Sequence, residues 1–159
     1  MKINTVIILT LLCIPHYVGA VSHLSLTSAS LDGWNVLLDE SSLIDGAGSD
    51  YVAQMTSRVM QDVLAVESDT SWDLYIQSDS IVWNEAISLT ARVSEVSKNP
   101  PLKFVQKSFV EITSRRIKIA SGTGSISSIG IQYLIDGISI SKVDQNHLEK
   151  SIIFSLEEL

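Results

Sequence analysis

The chain has 159 residues, 45% of them hydrophobic, with 18 acidic and 11 basic side chains and a net charge of −7. That balance argues against a general nucleic-acid binder, which needs basic surface to neutralise phosphates. The single cysteine, Cys13, rules out an internal disulfide, and no apolar run reaches the ~20 residues that a membrane-crossing helix needs.

The first twenty residues form a three-part pattern. Met1 to Asn4 is a short positive start, Thr5 to Ile14 is an apolar run, and Val18-Gly19-Ala20 places small residues before a cleavage point. The expectation is a secretory signal peptide over 1–20. It is followed by one domain over 21–159 in the periplasm, outside the cell or on its surface. Without that segment the chain keeps 18 acids against 10 bases and no cysteine, so its stability rests on its core.

Val21 to Ser30 opens with Leu24 and Leu26 on one face and Ser25 and Thr27 on the other, a first strand or an extended arm. Trp34, Val36 and Leu38 alternate next, and Asp39 to Asp50, DESSLIDGAGSD, is a loop by composition. Tyr51 to Glu67 admits two readings. Val52, Met55, Val59, Val63 and Val66 share a helical face, while Val59, Val63 and Ala65 opposed by Met60, Leu64 and Val66 fit strands. The strand-like flanks favour strands.

Trp72, Leu74 and Ile76 alternate with Asp73, Tyr75 and Gln77. After a polar turn at Ser78-Asp79-Ser80, Ile87, Leu89, Ala91 and Val93 alternate with Ser88, Thr90 and Arg92. Asn99-Pro100-Pro101 ends that run, because proline cannot donate to a ladder. Short strands over Phe109–Thr113 and Arg116–Ala120 lead to a turn at Ser121–Ser125. Ile129, Ile131, Tyr133 and Ile135 alternate again. Asp136-Gly137 marks a hairpin-type turn with Ile138 and Ile140 beyond it, and Ile152, Phe154 and Leu156 form a closing strand. Roughly eight to ten strands at short intervals predict an all-β, antiparallel sandwich, immunoglobulin-like or Greek-key.

The residues that carry chemistry are sparse. His23 and His147 stand in no nucleophile motif, and Glu85 beside Trp83 is the best single carboxylate for glycosidic chemistry, which needs a partner acid and a cleft. No enzyme is expected. Asp39, Asp45 and Asp50, with Glu40, lie in a glycine-containing loop that can offer oxygens to Ca²⁺, although the spacing is not that of an EF-hand. The SGTGS stretch lacks the lysine of a phosphate-binding loop and reads as a turn. Trp72 and Trp34 belong with core positions. Trp83 is the tryptophan with a claim to surface ligand binding, by stacking on a sugar. Lys98, Lys103, Lys107, Arg115, Arg116 and Lys118 concentrate positive charge in one window, whereas the N-terminal third is acidic. Such separation suits solvated strand edges and also complementary contact with a partner.

The order W-x-L-x-I, a polar turn, an alternating strand, then SGTGSISSIGIQYLIDGISIS and a closing I-x-F-x-L strand resembles small bacterial fimbrial-subunit-like surface proteins across Trp72 to Leu156. The resemblance implies an immunoglobulin-like sandwich that assembles by strand exchange, with an N-terminal arm completing a neighbour's sheet; Leu24 and Leu26 would be its anchors. The disulfide common in such subunits is absent here. The expected function is therefore that of a non-enzymatic, secreted or cell-surface structural or adhesive protein. The alternative is a secreted module binding carbohydrate or another ligand. Self-association or other surface proteins are the expected partners, and nucleic acid is not.

Overall fold

The computed structural model describes residues 2–3, 22–28, 34–46, 49–79, 87–97, 102–139, 141 and 151–159. The described residues form twelve strands: β1 (Lys2–Ile3), β2 (His23–Ser28), β3 (Trp34–Asn35), β4 (Gln54–Thr56), β5 (Asp62–Glu67), β6 (Ser71–Ser78), β7 (Ser88–Val96), β8 (Leu102–Val105), β9 (Val110–Glu111), β10 (Ile117–Thr123), β11 (Ile126–Asp136) and β12 (Ile152–Glu158). The described residues contain no α-helix; a single 3₁₀ turn spans Glu40–Ser42.

Every ladder is antiparallel. One sheet has the order β12-β6-β10-β8. The other runs β2-β5-β11-β7-β9, with β4 also pairing β11. Between them lies one apolar core. Leu64 and Val66 of β5, Leu89, Ala91 and Val93 of β7 and Ile129, Ile131 and Ile135 of β11 face Leu74 and Ile76 of β6, Ile119 of β10 and Ile152 and Phe154 of β12. Period-two alternation places them there: in β6, Leu74 and Ile76 are buried while Tyr75 and Gln77 are half-exposed on the other face. Trp72 plugs one end of the core. It is 1% exposed, and its Nε1–H donates to the Gly124 carbonyl at 2.7 Å. Gly124 turns the chain with φ +74°, a region that side chains rarely adopt.

From β5 to β12, each strand lies in the sheet opposite to the one before it. β6 and β7, adjacent in sequence, are therefore not ladder partners. β6 pairs β10 and β12, and β7 pairs β11 and β9.

The stretch 51–67 forms strands, as its flanks suggest, but in two pieces. β4 and β5 both pair β11, and Met60, in the left-handed region at φ 55°, breaks the run between them. Opposite, β11 carries Gly130, where an added Cβ would stand 2.6 Å from Met60 Cγ. The Met60 side chain thus lies on bare backbone. Ser94 holds the junction: it accepts from Met60 N–H at 3.2 Å and donates to the Gly130 carbonyl at 3.1 Å, beside the register shift between Gly130 and Ile131.

Three expectations need adjustment, and one strand was not expected. The strand predicted over Trp34–Leu38 is confined to Trp34–Asn35, which pairs β1. Ser121–Thr123 are not turn but the end of β10, because β6 and β8 supply partners on both sides. The Asp136-Gly137 step ends β11, and Ile138 beyond it belongs to no described strand, while Ile140 lies outside the described residues. Gly137 has φ +85°, and the next N–H, of Ile138, donates to Ala53 O at 3.1 Å rather than to a returning strand. β8, unforeseen in the sequence, follows the prolines and forms the edge of its sheet. The signal-peptide boundary at Ala20, Glu85, Asn99-Pro100-Pro101 and His147 lie outside the described residues.

Candidate interaction surface

The outer face of the four-stranded sheet carries a cluster of polar and aromatic side chains. Its registers align Phe104, Ser121, Asp73 and Glu157 in one row across β8, β10, β6 and β12, and Lys118, Tyr75 and Ser155 in the next. Asp73 is only 5% exposed, yet it accepts from Tyr75 O–H at 3.2 Å and pairs with Lys118 Nζ. Arg116 sits over the Tyr75 ring, 4.1 Å from its centroid, while its Nη2 donates to Glu157 Oε2 at 3.0 Å. Lys118 approaches the same ring at 5.9 Å. Tyr75 is thus overlain by two cations that two carboxylates hold in place. Its phenol is pushed above the usual range by burial first, then by the charges of Asp73 and Glu157. The hydrogen bond to Asp73 raises the Lys118 ammonium. Lys103 Nζ adds a third cation, donating to Ser71 Oγ at 3.2 Å, and Phe104 beside it is 40% exposed.

A second polar centre lies inside. Asp62, 1% exposed, stands in line with Leu64 and Val66, and its Oδ2 accepts from Tyr133 O–H at 2.5 Å. Burial foremost, then the Asp62 charge, lifts the Tyr133 phenol well above its ordinary value. Trp34 stacks on Tyr133 at 6.1 Å between centroids. On the outer face of the same sheet Gln132 accepts from Arg92 Nε and Nη2 at 3.0 and 2.8 Å and donates to Ser57 O at 2.9 Å, and Arg92 lies 4.7 Å from the Phe109 ring centre.

The residues singled out in the sequence are dispersed. Leu24 and Leu26 are in β2, the outermost strand of the six-stranded sheet. Leu24 is buried and opposite Val66; Leu26 is half-buried and opposite Leu64. Asp39 caps the 3₁₀ turn, accepting from Ser41 N–H at 2.9 Å, from Ser41 Oγ at 2.5 Å and from Ser42 Oγ at 3.4 Å. Those bonds, the Ser41 side chain first, hold its carboxyl below the usual value. Asp50 accepts from Tyr51 N–H at 2.8 Å, and the Asp45 N–H donates to Ser49 Oγ at 3.0 Å. Among the described residues no group of three His, Cys, Asp or Glu side chains converges to hold a metal ion. Trp83 and Lys98 lie outside the described residues. Of the other cations in the basic window, Arg116 and Lys118 meet over Tyr75 and Lys103 reaches Ser71 on β6, while Lys107 and Arg115 are exposed in the segments flanking β8 and β10. Among the described residues no helix is long and apolar enough to cross a membrane.

Sequence reasoning missed the Asp62–Tyr133 pair, although a signal existed. Asp62 occupies an inward position of the Asp62-x-Leu64-x-Val66 alternation, and an acid in a core register demands a partner. No protein-family model, no curated protein and no solved structure matches this chain.

Proposed function

We propose that this is a non-enzymatic, secreted or cell-surface protein of structural or adhesive kind, and that β2 is the segment it exchanges with a neighbouring copy. The observation that carries this reading is the placement of β2. It is an edge strand whose whole ladder, His23↔Glu67 to Ser28↔Asp62, is made with β5 alone. Removing it would bare the backbone of β5 and the flanks of Leu64 and Val66, both fully buried with β2 in place. Such a gap is self-complementary to the same arm from another copy, which would supply the same hydrogen bonds and the same two leucines.

The test compares the full chain with a variant lacking residues 21–31 by size-exclusion chromatography with light scattering. The truncated chain should capture a synthetic peptide of residues 21–31 at one to one, and the full chain should form strand-exchanged oligomers. A truncated chain that stays folded and ignores the peptide, or strict monomers in both preparations, overturns the reading.

A further inference from the structure

The stretch from Leu37 to Val52 carries four acids, Asp39, Glu40, Asp45 and Asp50, and no base. Its residues 42–44 and 50–52 pair as a small ribbon. Ile44 N–H donates to Asp50 O and Val52 N–H to Ser42 O, both at 2.9 Å, on either side of the Leu43↔Tyr51 bridge. In that pairing Leu43 and Tyr51 share one face, and Ile44 and Val52 share the other. Tyr51 packs on the core, so Ile44 and Val52 are left to water, 59% and 42% exposed. Leu37, whose carbonyl accepts from Ser42 Oγ at 3.3 Å, is 76% exposed. Three large apolar side chains held outward among acids are an unusual investment for a solvated loop.

The β8–β10 edge has the opposite character. Lys103, Lys107, Arg115, Arg116 and Lys118 are all exposed, and Phe104 lies among them. Asp73 and Glu157 engage Lys118 and Arg116. Five cations against two carboxylates leave a net +3 in a chain whose total is −7.

We propose that the acidic ribbon of one copy docks, head to tail, on the basic β8–β10 edge of a second copy. The two surfaces are opposite in sign, and each presents exposed apolar surface, Leu37, Ile44 and Val52 on one and Phe104 on the other. They belong to opposite sheets, since the ribbon leads into β4, a partner of β11. A contact between unlike surfaces leaves each copy with one of each still open, so it propagates into a ring or a filament. It is separate from β2 exchange, which depends on backbone and apolar contacts and has no strong salt dependence. Docking by charge weakens as the screening length contracts from about 20 Å in dilute salt to about 4 Å near 0.5 M.

Sedimentation velocity decides it. At low salt the chain should sediment as more than a monomer and should lose mass in high salt, and the variant lacking residues 21–31 should behave in the same way. The triple variant Lys103→Glu, Lys107→Glu, Arg115→Glu and the triple variant Asp39→Lys, Asp45→Lys, Asp50→Lys should each be monomeric alone. Mixed in equal amounts they should associate again, because each supplies the complement of the other, and this rescue also shows that both are folded. A wild-type chain that is monomeric at low salt, or variants that stay monomeric when mixed, overturns the proposal.

Discussion

The molecule contains the same chemical pair twice, a tyrosine hydroxyl on a carboxylate, in two environments. Asp62 and Tyr133 lie between the sheets at 2.5 Å, 1% and 0% exposed. Asp73 and Tyr75 lie on the outer face at 3.2 Å, with Lys118 and Arg116 close by. Inside, the carboxylate is buried together with its phenol donor, and loss of that donor is felt as stability. Outside, cations answer the carboxylate and water answers the rest, so the same groups shape a surface potential instead.

Substitution should separate the two. Tyr133→Phe takes a donor from a buried carboxylate and should destabilise the domain by about 2–3 kcal/mol in urea unfolding; Tyr75→Phe should change the midpoint far less. If the two variants unfold alike, the contrast between the sites fails. Alkaline titration gives a second measure. Both phenols are raised in the fold, so each adds stability that is fully present below pH about 10 and is lost as pH climbs past it. Phenolate absorbance from Tyr133 should therefore appear only together with unfolding, and Tyr133→Phe should remove that component. Asp73→Asn should lower the Lys118 pKa, readable by NMR of the lysine ε-methylene, with the fold intact. The smallest effect belongs to Arg116 and Glu157, both about two-fifths exposed: a double-mutant cycle should give about 0.2–1 kcal/mol, fading in high salt.

Which of these features could be read from the sequence follows from how local each is. Alternation in Trp72–Ile76, Ile87–Val93, Ile129–Ile135 and Ile152–Leu156 belongs to single strands, so the β class and most of the core were legible. β8 was not, because an edge strand has little to bury: its four residues, Leu102 to Val105, show no clean period, with Lys103 and Phe104 both turned to solvent. Ser121 and Gly122 looked like a turn, yet they are buried beneath neighbours contributed by β6 and β8. The polar centres depend on registers between distant segments. Asp62 meets Tyr133 71 positions along the chain, on a strand, β11, whose pairings carry two register shifts that no residue pattern announces. The basic window was visible as composition; its arrangement around Tyr75 required the sheet.

The alternation of strands between sheets bears on how the chain reaches this structure in time. Among the described strands from β5 onward no two successive ones can zip together as a hairpin, so they offer no hairpin nucleus. The central strand β6 must wait for β10, about forty residues later in synthesis, and for β12, later still. Until they emerge from the ribosome, β6 is a sticky ribbon without neighbours, and β5 has β2 alone beside it. Such a chain should fold slowly, late and all at once, and should lean on holding factors meanwhile.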